Sequence, residues 1–350
     1  MIIQYQKLSV NLVSMLPDRA KDIVNRRFGV YSSEPQTLEA VGQRHGITRE
    51  RVRQIVEDSL RIIRGFAKKS PDYAKLQGVY QEFGDVLKNS GELKRQDLFI
   101  EQVNAKEQMN SVVFLLNLGE QFYGQRETEY FYPYWTLKRE LYEGASRVIG
   151  ELLKFFENRE TPLLLDEILK DYLRSTEIGK ELNMSSKHFP SFLEVSKHIG
   201  QGYNGKWGLR KWPEVHPKGM RDRAYVVLKE LRTPLHFTDV AKQIAKMQES
   251  FASLKKKDVL PQTVHNELIK DERFVLVGRG TYALVEWGYQ PGTVREVMTQ
   301  ILKEQSPLTR EELIEHTLRQ RRVKESTILL NLQDKSAFTK DAQGKYILGA

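Results

Sequence analysis

The chain has 350 residues, 40% hydrophobic and 29% charged, and no cysteine. That length exceeds what one hydrophobic core usually organises, so two or more domains are expected, and the missing cysteines exclude disulfides, thiolate nucleophiles and zinc-thiolate sites together. The formal charge is +9, but Met1 to Ser70 alone carries 13 Lys or Arg against 7 Asp or Glu, so a polyanionic partner would dock at the amino-terminal end.

The opening MIIQYQKLSVNLVSML is interrupted by polar residues and followed by no small-residue cleavage site. No stretch approaches the roughly eighteen apolar residues of a membrane span. A cytoplasmic, nucleoid-associated chain with no membrane partner is therefore expected. From Leu16 to Arg64 the pattern predicts three or four short helices. Ala20, Ile23, Val24 and Phe28 define one, closed by Gly29. After the polar loop YSSEPQ, Thr37 stands where an N-cap belongs, ahead of Leu38 and Val41. His45 and Gly46 end that helix, and Thr48 caps the next, whose Val52, Ile55, Val56, Leu60 and Ile63 recur at helical spacing. Two helices joined by a tight glycine-bearing turn make a helix-turn-helix, whose second helix enters the major groove by its first turns.

Beyond Ser70 a unit of roughly seventy residues repeats loosely, the mark of an array of like modules. Each ends in a glycine and aromatic signature: FYPYWTL at Phe131 to Leu137, GKWGL at Gly205 to Leu209, GTYAL at Gly280 to Leu284 and GKYIL at Gly344 to Leu348. Each reads as three helices and a hairpin, the winged-helix plan. In the third unit the helices are expected near Asp222 to Leu231, Thr238 to Met247 and Pro261 to Lys270, with GRG turning between two apolar strands. Pro and Gly clusters put boundaries near Tyr142 to Ala145, Trp212 to Lys218 and Tyr289 to Gly292. The expected fold class is thus mainly α: a helix-turn-helix domain at 1–70, then about four winged-helix units at 71–141, 142–216, 217–290 and 291–350.

The line RRFGVYSSEPQTLEAVGQRHGITRERVRQIVEDSLRIIR resembles region 4 of the primary bacterial sigma factors, above all in TRERVRQI. That resemblance covers Leu16 to Arg64. It implies a domain that reads the minus-35 promoter element in double-stranded DNA and leans on the beta flap of RNA polymerase. Residue by residue, it puts Arg49, Glu50, Arg53 and Gln54 on base edges and Arg51, with its neighbours Thr48, Thr37, Arg44 and His45, near phosphates. The chemistry of the side chains agrees: Arg pairs with guanine, Gln with adenine, and Glu accepts from cytosine. Spaced i, i+1, i+4 and i+5, the four share one helix face. The stretch Pro234 to Leu284, through TPLHFTDVAKQI and VHNELIKDERFVLVGRGTYAL, resembles the HARE-type winged helix, also found at the front of the RNA polymerase delta subunit.

Other signals point to no catalysis, cofactor or metal. GQGYNGKW at Gly200 to Trp207 almost matches a phosphate-cradling loop, but Trp207 replaces the hydroxyl residue, so a hairpin turn is expected. The seven histidines show no metal-ligand spacing. YFYPYW at Tyr130 to Trp135 is expected as wing and core, not as a base-stacking surface. Lys255, Lys256, Lys257 and Arg279, with Arg319, Arg321 and Arg322 of RQRR, are secondary candidates for nucleic-acid contact. Only fifteen residues precede the region-4-like stretch, so a sigma-like accessory or regulator is expected in place of an initiating factor. The alternatives are a scaffold whose winged units recruit polymerase, or the DNA-binding part of a restriction or defence system.

Overall fold

The computed structural model describes residues 4–31, 34–175, 189–250 and 258–349. The chain divides into two compact bodies, one built from residues up to 200 with 207–209, the other from 201–206 and 210 onward. Both are mainly helical. None of the described helices is long and apolar enough to cross a membrane.

The first body opens with α1 (Tyr5–Ser14), α2 (Asp18–Phe28), α3 (Leu38–His45) and α4 (Arg49–Ala67). Helix α1, which carries no side-chain cap, forms because Tyr5, Leu8, Leu12 and Val13 make a buried stripe. The expected stops and starts are present in α2 to α4. Gly29 and Gly46 close α2 and α3 at φ 67° and 64°, left-handed conformations that favour glycine. The Thr37 hydroxyl accepts from the Ala40 N–H at 3.1 Å, and the Thr48 hydroxyl from the Arg51 N–H at 3.2 Å.

Next come α5 (Tyr73–Asn89), β1 (Leu93–Arg95), α6 (Gln96–Gln102), α7 (Met109–Leu118), β2 (Tyr123–Gln125) and β3 (Tyr134–Thr136). The antiparallel sheet has the order β1-β3-β2. One apolar core runs from Tyr5 to Trp135. In it Phe28 meets Phe114 edge-on at 5.5 Å, and Tyr5 meets Phe83 at 5.7 Å. Arg64 of α4 donates to the Leu118 carbonyl at 2.7 Å, a cation on the last turn of α7. Packing therefore continues without a break across residue 70.

Helix α8 (Arg139–Arg159) corrects the boundary expected at Tyr142 to Ala145, which lies inside it. Leu141, Ala145, Val148, Ile149 and Leu152 are all buried on one face, so the helical period carries through the Gly-containing stretch. The remaining elements of this part are α9 (Leu165–Ser175), α10 (Phe189–Val195), β4 (Ile199–Gln201) and β5 (Trp207–Leu209). The glycines of GQGYNGKW belong to the hairpin joining β4 to β5, with Gly205 at φ 79°.

The second body holds α11 (Met220–Leu231), β6 (Leu235–His236), α12 (Phe237–Ser250), α13 (Pro261–Lys270), β7 (Phe274–Gly278) and β8 (Thr281–Leu284), in a sheet of order β6-β8-β7. It continues with α14 (Val294–Gln305), α15 (Arg310–Gln320), α16 (Glu325–Asn331), β9 (Phe338–Lys340) and β10 (Tyr346–Leu348). Capping boxes at Thr293 with Glu296 and Thr309 with Glu312 start α14 and α15.

One local rule recurs four times. After the first helix of each unit a leucine pairs with the hairpin's second strand: Leu93 with Thr136, Leu163 with Trp207, Leu235 with Tyr282 and Leu308 with Tyr346. In the last three the leucine follows Thr-Pro or Ser-Pro. Proline cannot donate to a ladder, so it suits the residue just outside the first pairing.

Candidate nucleic-acid interface

Helix α4 is amphipathic. Val52, Val56, Leu60 and Ile63 are buried in the core that also holds α2 and α3, while Arg49, Glu50, Arg51, Arg53 and Gln54 are exposed. The four side chains expected at base edges therefore stand together on one open face. The turn that presents them depends on Gly42: a Cβ there would sit 2.6 Å from the Ile47 carbonyl oxygen, so any side chain would force α3 and α4 apart.

On that face the side chains bind one another. Arg53 forks onto Glu50, Nε to Oε2 at 2.9 Å and Nη2 to Oε1 at 2.6 Å, and its Nη1 reaches Glu57. Gln54 donates to Glu50 at 3.5 Å, and Arg51 donates to the Gln54 side-chain oxygen at 3.2 Å. The Arg53 hydrogen bonds hold the Glu50 carboxyl below its ordinary value, so it stays ionised and accepts only. Bonds from Glu50, then Glu57, push the Arg53 guanidinium in the opposite direction. Glu57 is absent from the sequence-based site. Its signal was the i, i+4 spacing from Arg53.

Thr37, Arg44 and Thr48 are exposed around the turn, the two threonines with their hydroxyls engaged as caps. His45 is turned inward: its Nε2 lies 3.0 Å from Asp22 of α2, a carboxylate that also receives Arg26 Nε at 2.8 Å. The Arg26 bond holds Asp22 below its ordinary value.

The secondary candidates fare differently. Lys255, Lys256 and Lys257 lie outside the described residues. Arg279 is exposed between β7 and β8. Arg319 is exposed and paired with Glu315 at 2.5 Å. Arg321 is a correction: only 3% exposed, it donates to the carbonyls of Gln290, Gly292 and Gln320 at 2.6, 2.8 and 2.9 Å, and no nucleic acid reaches it there. The guanidinium supplies donors to all three carbonyls at once. Arg322 donates to the Thr233 hydroxyl at 3.0 Å, while its backbone N–H pairs with the Val277 carbonyl at 2.7 Å. In YFYPYW, Phe131, Tyr134 and Trp135 are buried and Tyr130 is exposed. Among the described residues no cluster of three His, Asp or Glu has the arrangement to hold a metal ion.

Residues 12–65 match the family model described as sigma-70, region 4. Over 52 residues the chain is 48% identical to the RNA polymerase sigma factor RpoS of Coxiella burnetii, which covers 15% of each chain. Over 50 residues it is 42% identical to the RNA polymerase principal sigma factor HrdD of Streptomyces griseus, covering 14% of this chain and 15% of the relative. The RNA polymerase principal sigma factor HrdC of Streptomyces coelicolor is 38% identical over 66 residues, covering 18% of this chain and 20% of the relative. The chain thus spans about 15% of the length of each of the first two relatives, and the family match falls on the amino-terminal helices.

Proposed function

We propose that this chain, whose residues 12–65 are a sigma-70 region 4 domain, is a non-catalytic, sequence-specific DNA-binding protein. It acts at promoters with RNA polymerase, as an accessory or regulator in the cytoplasm. One observation carries the reading: Arg49, Glu50, Arg53 and Gln54 are all exposed on the first turns of a helix whose Val52, Val56, Leu60 and Ile63 are locked into a core. In this reading α4 enters the major groove. Arg53 and Arg49 address guanine, Gln54 adenine, and Glu50 the cytosine amino group. Arg51, Arg44, Thr37 and Thr48 take phosphates, which set register and affinity without carrying sequence information. His45, engaged with Asp22, serves the turn. The Arg53 pairs with Glu50 and Glu57 are exposed, and such pairs contribute little in water, so Arg53 is readily released to a base.

The four units after residue 70 are taken as winged-helix modules, the third of HARE type. The support is their shared order of helix, pairing leucine, two helices and hairpin. Contact with the polymerase beta flap would use surface other than the Phe28 side of α2, where Phe114 of α7 already packs.

Selection of bound fragments from random duplex, followed by titration of Arg53→Ala, tests the reading. The substitution is expected to weaken the preferred site by roughly tenfold to a hundredfold and to relax discrimination at one base pair. An equal loss on random duplex removes the base-reading role. A second reading, a scaffold in which only the amino-terminal helices touch DNA, is favoured for the last unit. There Arg321 is buried, so the RQRR cluster presents only part of its charge to phosphate.

A further inference from the structure

A cavity of about 300 Å³ lies between α2, α7 and the β2–β3 hairpin, within the size range of small-molecule sites. It stands apart from the DNA-reading face of α4. Two guanidiniums line it, Arg27 from the last turn of α2 and Arg126 from the residue after β2. Neither pairs with a carboxylate among the described residues. Arg27 Nη1 donates to the Gln36 carbonyl at 3.0 Å, and the acid on the cavity wall, Glu127, receives Lys197 Nζ at 2.6 Å. Burial holds the Arg27 guanidinium below its ordinary value, and the like charge of Arg126 adds to the effect. Two cations at one cavity, one of them half-buried, are an unfavourable arrangement that an anion between them relieves.

The rest of the wall describes what else the anion carries. Trp135 and Phe28, both nearly buried, supply apolar wall, and Gln96 and Asn117 bring amide groups. The volume is about ten times the liquid volume of one water, more than inorganic phosphate fills. We propose that this cavity binds a small organic phosphate bearing a planar ring, the class that nucleoside monophosphates represent. The two guanidiniums fork onto the phosphate, and the ring lies against the Trp135 and Phe28 wall with its polar edge at the amides. Because Arg27 belongs to α2 and Gln36 precedes the cap of α3, an occupied site braces the helix-turn-helix against the hairpin. The proposal is independent of the assignment of α4 to DNA bases.

Calorimetry on the full chain with adenosine monophosphate, guanosine monophosphate, adenosine and inorganic phosphate is the test. Saturable binding of a nucleotide is expected, at least roughly tenfold tighter than adenosine or inorganic phosphate. Arg126→Gln, at an exposed position, is expected to weaken nucleotide binding by roughly tenfold or more. The melting temperature of that ligand-free variant stays unchanged or rises, since a like charge beside Arg27 is gone. No heat and no thermal shift at millimolar nucleotide overturns the proposal, as does unchanged nucleotide affinity in R126Q. Loss of duplex affinity in R126Q without any nucleotide binding also overturns it, since the two arginines would then serve the DNA backbone.

Discussion

Arg53 lies between two carboxylates of its own helix, Glu50 at 2.6 Å on one side and Glu57 on the other. In the proposed reading Glu50 faces the groove with Arg53, and Glu57, one turn beyond Arg53 along α4, would add negative charge beside the phosphates that flank a reading helix. On that reading it would oppose binding wherever Arg53 finds no guanine to replace it. Glu57→Gln is therefore expected to raise affinity for random duplex several-fold at low salt and to narrow the gap between preferred and random sites. Titrations of both duplexes across a salt series measure this; an unchanged ratio removes Glu57 from discrimination. The buried stripe of α4, Val52, Val56, Leu60 and Ile63, was legible in the sequence, because it depends only on helical period. Arg321 was not. In RQRR it reads as one of a surface cluster, and what buries it is a set of carbonyls about thirty residues earlier, a feature of tertiary structure that no local pattern encodes.

At the scale of elements, caps and hairpins were legible because their signals are local: Thr37, Thr48 and Pro261 at helix starts, Gly29 and Gly46 at helix ends. Helix α8 shows where such signals mislead. Gly144 suggested a break, yet a glycine in a helix costs only about 1 kcal/mol relative to alanine. Burying Leu141 and Ala145 on the same stripe as Val148 and Ile149 outweighs it, at about 25 cal/mol per Å² of apolar surface. A different element junction carries a pH dependence. Asp271, just past α13, accepts from Arg273 Nε at 2.9 Å, and Arg273 also reaches Asp222 of α11 at 2.9 Å, so one guanidinium ties two helices to the start of β7. The Arg273 hydrogen bond holds the Asp271 carboxyl below its ordinary value. Its folded-state value is thus depressed, and the stabilisation is complete above the unfolded value of about 4 and drains as the pH falls through the folded one. Asp271→Asn is expected to lower stability near neutral pH by about 1–3 kcal/mol and to flatten the acid limb. Melting temperatures of the two proteins from about pH 6 to about pH 2 are expected to converge at the acid end; parallel curves would deny the pair this role.

For the whole molecule, the division expected at residue 70 rested on the helix-turn-helix pattern that ends near Arg64, the repeat that begins beyond Ser70 and the basic surplus of the first seventy residues. Periodicity says which side chains are buried but not which partner buries them, and here the partners lie on both sides of that point. Tyr5 packs on Phe83, Phe28 on Phe114, and Arg64 on the end of α7. A fragment of residues 1–70 loses these neighbours. Uncovering a large apolar side chain costs about 1.5–3 kcal/mol. With Tyr5 and Leu8 of α1 and Phe28 of α2 among the buried set, the sum is comparable to the whole stability of a small domain, about 5–15 kcal/mol. The fragment is therefore expected to melt without a cooperative transition and to bind the preferred duplex far more weakly than the full chain. Circular dichroism melting and duplex titration of fragment and full chain decide it: a sharp transition at the full chain's temperature, with equal affinity, would mean that α5 and α7 merely rest against an independent domain. The expected result makes the helix-turn-helix and the unit after it one cooperative folding body, so a ligand or substitution among α5, α7 and the β2–β3 hairpin has a direct mechanical path to α4 through Arg64 and Phe28.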